Sequence, residues 1–127
     1  MRKANDMPHH LRLGRDGEFQ ALEYLKENDY QILATNWRHG HKELDIVCKK
    51  NNVIVVVEVK TRYGDYWEEP KEAVRRRKQR NTIEAADAYV NQHNYELEVQ
   101  FDIISVIFYG DTTYKLEHIP DAFYPTL

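Results

Sequence analysis

Glu58 and Lys60 stand two residues apart at the end of the most apolar segment of the chain, Val-Ile-Val-Val-Val at residues 53–57. In an extended strand, residues two apart project from the same face. A carboxylate and an ammonium are therefore held side by side. Charge set against so much hydrocarbon is costly unless it is paired or binds an ion. The arrangement predicts a metal and phosphate site at a strand end. The plainer alternative is an ordinary ion pair. A chain of this composition should contain roughly one or two acid-x-Lys triplets by chance, and a second, Glu69-Pro70-Lys71, does occur in a loop-like setting. What sets Glu58-Val59-Lys60 apart is the valine run before it and the acids of the preceding segment.

Those acids are Glu43 and Asp45 in Glu-Leu-Asp-Ile-Val-Cys, residues 43–48. Read as a strand, Leu44, Ile46 and Cys48 line one face, and Glu43, Asp45 and Val47 the other. Lys49-Lys50-Asn51-Asn52 predicts a turn, so residues 43–48 and 53–60 form a β-hairpin. A turn centred on Lys50-Asn51 sets Cys48 opposite Val53, Asp45 opposite Val56 and Glu43 opposite Glu58. A two-residue change of register sets Asp45 opposite Glu58 instead. In either register Asp45, Glu58 and Lys60 share a face with Cβ atoms about 5–8 Å apart, near enough for two carboxylates to reach one divalent cation. A one-residue slip would destroy the arrangement.

Other elements must bring further groups to this point. Gly14-Arg15-Asp16-Gly17-Glu18 opens a helix predicted to run to about Asn28, with Ala21, Leu22 and Leu25 as its buried stripe. Glu18 lies on that inward face. It is a candidate site acid, while an acid in a first turn also suits the helix dipole. Pro70 fits the first position of a second helix, predicted to reach about Asn91, with room for a break. Between Ala73-Val74 and a stripe through Ile83, Ala86, Tyr89 and Val90 it carries Arg75, Arg76, Arg77, Lys78 and Arg80. A basic turn suits phosphate contact, and a solvated helix turn is the commoner meaning of a charge run. In the loop at residues 61–69, Tyr63, Tyr66 and Trp67 suit stacking on bases or a lid packed on the body. His39 and His41 belong to a predicted turn at residues 37–42 and read as solvated.

The whole chain sets the bounds. Its 127 residues suit one domain, residues 14–127, behind an N-terminal arm of residues 1–13. A formal net charge of −3 excludes polyanion binding through bulk charge, so any such binding needs a local basic patch. The one cysteine, Cys48, allows no internal disulfide and suits a reducing cytoplasm. It also gives no zinc-type spacing. No apolar run approaches the roughly 20 residues of a membrane span, and no signal-peptide core opens the chain. Further strands are predicted at residues 30–36, 98–109 and 113–119, with Asp102 buried and structural in the second and the third at an edge. A tail at residues 120–127 offers Phe123 and Tyr124 for docking. The order of elements predicts an α/β fold, one mixed sheet of about five strands covered by helices.

Taken in order, Gly14-x-x-Gly17-Glu18, Glu43-Leu44-Asp45-Ile46-Val47, Glu58-Val59-Lys60-Thr61-Arg62, Ala73-Val74 with Lys78, and Phe101-Asp102 resemble the YraN family. That family resembles Holliday junction resolvases of the PD-(D/E)xK, restriction-endonuclease-like group. The likeness covers the chain from about Gly14 to Phe123. It implies an α/β/α nuclease-type core with Mg²⁺ or Mn²⁺ at the strand ends. By position, Asp45 and Glu58 would be metal ligands beside the carbonyl of Val59, Lys60 the catalytic lysine, and Glu18 an accessory acid, with Glu43 nearby. Arg62, Arg75, Arg76 and Lys78 would hold flanking phosphates. The chain departs from the pattern at Lys42, where a glycine is common, and at Asn28-Asp29, which replaces a glycine-containing turn. The implied activity is metal-dependent hydrolysis of branched DNA in the cytoplasm, with a homodimer suited to a four-way substrate. The alternatives are a nuclease-fold binding module with little or no activity, or an interaction protein using the edge strand at residues 113–119.

Overall fold

The β-branched run lies in the middle of a five-stranded sheet. In the computed structural model, residues 9–64, 72–110 and 112–125 are described, with side chains from Gly17 onward. The chain forms α1 (His9–Glu27), β1 (Gln31–His39), β2 (Lys42–Lys50), β3 (Val53–Tyr63), α2 (Glu72–Gln92), β4 (Glu98–Phe108) and β5 (Tyr114–Phe123). Strand order follows the chain, β1-β2-β3-β4-β5. β3 and β4 are parallel, joined through α2, and every other pair is antiparallel. The chain therefore has the α/β mixed sheet flanked by helices that its pattern predicts.

β3 explains the three layers. Ile54 and Val56 pack into a core with Ala85, Ala86 and Tyr89 of α2, while Val55 and Val57 pack into a second core with Ala21 and Leu25 of α1. A strand clothed on both faces must be apolar at every position, which is why residues 53–57 show no alternation. Each buried valine contributes roughly 1.5–3 kcal/mol of transfer free energy. At Glu58 the hydrocarbon ends and the site begins.

Several element bounds differ from expectation. α1 begins at His9, so the proposed arm is helical in part, and residues 1–8 lie outside the described residues. β1 continues through Trp37 to His39, and the turn is Gly40-His41, with Gly40 at φ 62°. His39 stacks on Trp37 with ring centroids 6.1 Å apart. Asp29 takes φ 66°, the left-handed conformation that glycine adopts most readily. α2 is unbroken from Glu72. Pro70, the triplet Glu69-Pro70-Lys71, and Tyr66 and Trp67 lie outside the described residues. β5 runs on to Phe123, which stacks on Phe101 at 5.1 Å, whereas Tyr124 stays exposed instead of docking. No helix among the described residues is long and apolar enough to cross a membrane.

Candidate functional site

The hairpin that carries the acids has the shifted register. Its loop is Asn51-Asn52, with φ of 51° and 63°. Two successive left-handed residues make the tight turn that matches strand twist, and asparagine tolerates that conformation better than other residues bearing a Cβ. Lys50 then pairs with Val53, Cys48 with Val55 and Ile46 with Val57. The turn centre is thus Asn51-Asn52 and not Lys50-Asn51, a move of one residue that shifts the pairing by two, and Asp45 comes level with Glu58.

At that level the two strands part. Ile46↔Val57 is the last pair of the ladder. Beyond it the Val59 amide donates to Asp45 Oδ2 at 2.9 Å, so a side chain takes the bond a neighbouring strand would have made. The facing of β2 also changes here. Ile46 packs in the core under α1, while Leu44 packs in the core under α2. In an uninterrupted strand these two would share a face, as the sequence pattern predicts, so Leu44 is a correction. On the neighbouring strand Asn36, between Thr35↔Ile46 and Trp37↔Leu44, has φ 50°. Both strands turn over at one level, and Asp45 is left in the gap, reached from both faces of the sheet.

From the α1 side comes Glu18. Asn36 Nδ2 donates to Glu18 Oε1 at 2.7 Å. Burial raises the Glu18 carboxyl above its ordinary value; the Asn36 bond opposes this, and the charges of Asp45 and Glu43 reinforce it. Asp45 behaves alike: burial raises it, the Val59 amide and Lys78 oppose, and Glu58 and Glu43 reinforce. Glu18 and Asp45 therefore both lie within reach of the charge of Glu43. Gly17 allows the approach, because a Cβ there would press on Thr61 Oγ1 and lie 2.9 Å from Thr61 Cγ2. Arg38 reaches Glu43 at 3.3 Å, and Lys42 pairs with Glu84 of α2 rather than with Glu43.

From the α2 side comes Lys78, whose Nζ lies 2.9 Å from Glu58 Oε1; the side chains are 60% and 8% exposed. Burial works against the Lys78 ammonium, yet Glu58, with Asp45 and Glu43 beyond it, holds its pKa above the usual lysine value. A cavity of about 290 Å³ opens beside the pair, its wall including Lys60, Arg62, Arg75 and Gln79. Lys60 and Glu58 thus share a cavity, but the direct partner of Glu58 is Lys78. Arg76 lies farther out, paired with Glu72 at 2.9 Å.

Carboxylate oxygens are the donor type that a hard divalent cation prefers. Burial is the main cause that raises the Glu18 and Asp45 carboxyls, and the charges of neighbouring acids add to it. Among the described residues no three Asp, Glu, His or Cys side chains are grouped to hold a metal by themselves. Mg²⁺ commonly takes one or two carboxylates and completes its shell with water.

Asn36 and the α2-to-β3 role of Lys78 were not legible in local pattern. The positive φ of Asn36 depends on the turning-over of β1, and no motif marks it. Asp102 is buried and structural, as its place in an apolar strand predicts. It accepts from Asp121 N at 3.0 Å and lies 2.7 Å from His118 Nε2, whose Nδ1 is 2.9 Å from Tyr24 Oη.

Comparison with known proteins finds one family match and many close relatives. The model of the family described as uncharacterised protein family UPF0102 matches residues 17–106. A UPF0102 protein of Bacteroides thetaiotaomicron is 47% identical over 122 residues, spanning 95% of this chain and 99% of the relative. One from Parabacteroides distasonis is 44% identical over 124 residues, spanning 98% and 97%. One from Clostridium beijerinckii is 41% identical over 113 residues, spanning 87% and 92%.

Proposed function

The chain belongs to the UPF0102 family, and we propose that it is a metal-dependent endonuclease that hydrolyses phosphodiesters in structured, branched DNA. The observation that carries this reading is the parting of β2 from β3, where the Asp45 carboxylate caps the Val59 amide between Glu58 and Lys60. A gap lined by acids, beside a cavity lined by lysine and arginine, suits a cation and a phosphate together.

In this reading Asp45, Glu58 and the Val59 carbonyl hold Mg²⁺ or Mn²⁺. When bound, such an ion would polarise the phosphate and make a water more acidic. Lys60, on the cavity wall, orients the attacking water and offsets charge that builds on the phosphate oxygens. Water oxygen bonds to phosphorus and gives up a proton as the bond to the leaving sugar oxygen breaks, and that oxygen takes up a proton from solvent. Glu18, oriented by Asn36, would hold a water or a second ion. Glu43 adds negative charge beside Asp45. Arg62, Arg75, Arg76 and Lys78 hold the phosphates on either side. A homodimer suits a four-way substrate, and a free buried Cys48 suits the cytoplasm.

The test is Mn²⁺-dependent cleavage of a four-way DNA junction. Asp45→Ala and Lys60→Ala should each abolish it with the fold intact by circular dichroism. Equal cleavage by both variants and wild type would count against the enzyme.

The second reading is a nuclease-fold DNA-binding module with little or no activity. The ion pair at 2.9 Å favours it, because Lys78 already neutralises Glu58. Calorimetry with Mn²⁺ separates the two: the enzyme requires a binding event that Asp45→Asn removes, and the module requires none.

A further inference from the structure

A second cavity, of about 430 Å³, opens on α2 beside the first, lined by Arg76, Gln79, Arg80, Ile83 and Tyr124. Gln79 lines both, so the two cavities adjoin along one helix. Its volume falls in the range of about 300–1,000 Å³ usual for ligand pockets. The lining combines three kinds of group. Two arginines one helical turn apart supply positive charge. Ile83 supplies an apolar wall. Tyr124 is 65% exposed, directly after β5, and presents an aromatic ring to solvent.

This is an unusual place for such charge. The chain as a whole carries a net charge of −3, so the basic face of α2 is no consequence of bulk composition. The Arg76–Glu72 pair is exposed on both sides. Exposed pairs of this kind hold weakly and yield to a stronger anion. Arginine charge beside an exposed aromatic ring is the combination that binds unpaired nucleotides, phosphate on guanidinium and base on ring. A base inside a duplex has its faces covered by its neighbours and cannot stack on a side chain.

We propose that the Arg76–Arg80–Tyr124 cavity binds an unpaired nucleotide of a DNA strand leading away from the candidate site. The inference rests on the DNA reading above and deepens it: the recognised substrate has a single-stranded segment next to a duplex. Tyr124 stacks on the base, and Arg80 and Arg76 hold its phosphates.

The experiment measures fluorescence anisotropy of the full chain with two labelled probes at fixed salt, a blunt duplex and the same duplex with an oligothymidine tail. Wild type should prefer the tailed probe. Tyr124→Ala should weaken tailed binding about tenfold and blunt binding by less than about twofold, and Tyr124→Phe should keep the preference. Arg80→Ala should weaken tailed binding and flatten its salt dependence. Equal loss on both probes, or none on either, would overturn the proposal. So would displacement of the tailed probe from wild type and Tyr124→Ala alike by an oligoglutamate peptide, which would mark the face as a site for acidic protein. Junction cleavage by the same samples keeps the two readings apart. Cleavage without a Tyr124-dependent tail preference removes the pocket and leaves the nuclease. Tail preference without cleavage does the reverse.

Discussion

The Val59 main-chain amide and the Asp45 carboxylate meet at 2.9 Å across the parting of β2 and β3. One bond ends the ladder and holds the aspartate in the gap, level with Glu58. A carboxylate kept there is costly, because burial and two neighbouring acids disfavour its charge.

Asp45→Asn should therefore stabilise the protein at neutral pH. The amide oxygen still accepts from Val59, and the charge is gone. The folded state holds the Asp45 proton more tightly than the unfolded chain does. Stability is lost as pH rises from the ordinary carboxylate range through the raised folded pKa, and the full cost stands above it. The expected gain at pH 7 is about 1 kcal/mol, or roughly 4 °C in Tm, and it should vanish near pH 3 where both states are protonated. Thermal melts at the two pH values check this. A lower Tm for Asp45→Asn at pH 7 would contradict it.

Lys78→Ala should strand the buried Glu58 carboxylate. Lys78 is largely exposed, so solvent screens the pair and the loss should be about 1–2 kcal/mol, below that of a fully buried pair. Adding Glu58→Gln should recover most of it. A urea double-mutant cycle measures the coupling, and additive losses would show that the pair contributes nothing.

Gly17→Ala should cost about 1–3 kcal/mol, since its Cβ would overlap the short, branched side chain of Thr61. Thr61→Ala removes the two atoms struck and should restore part of the loss. If Gly17→Ala is neutral by urea unfolding, α1 moves off β3 without cost.

His118→Ala should cost about 3 kcal/mol, because Asp102 is wholly buried and loses the partner of one carboxylate oxygen. His118→Gln, which can still donate to Asp102, should lose less. Equal losses for the two variants would mean that packing against Tyr24, not the hydrogen bond, is what His118 supplies.

The Cys48 thiol should be inert in the folded protein. Burial, helped by the charge of Asp102, pushes its pKa up to about 12, and the thiol lies within the core under α1. Only thiolate reacts. Alkylation at pH 8 should be slow in buffer and complete in denaturant, and rapid labelling of native protein would show that the core opens.

The α/β class, the central place of residues 53–57 and the shared side of Glu58 and Lys60 were legible in the sequence. Each follows from periodicity along a few consecutive residues. Unbroken β-branching means burial on both faces, and a spacing of two means one face. The basic character of α2 was legible for the same reason. By contrast, Asn51 and Asn52 decided the hairpin register through two backbone angles, and two centres for the turn fitted the residue pattern.

Partners brought from afar were decided only by the tertiary structure. Lys78 reaches Glu58 because α2 lies across β3, and Asn36 holds Glu18 because β1 turns over beside α1. Tyr24 and Asp102 meet through His118 because three separate elements close on one point. The physical reason is one of range. Local composition sets which face of an element is apolar, whereas strand register, sheet twist and helix crossing together set which charged side chain meets which, and no single segment contains them.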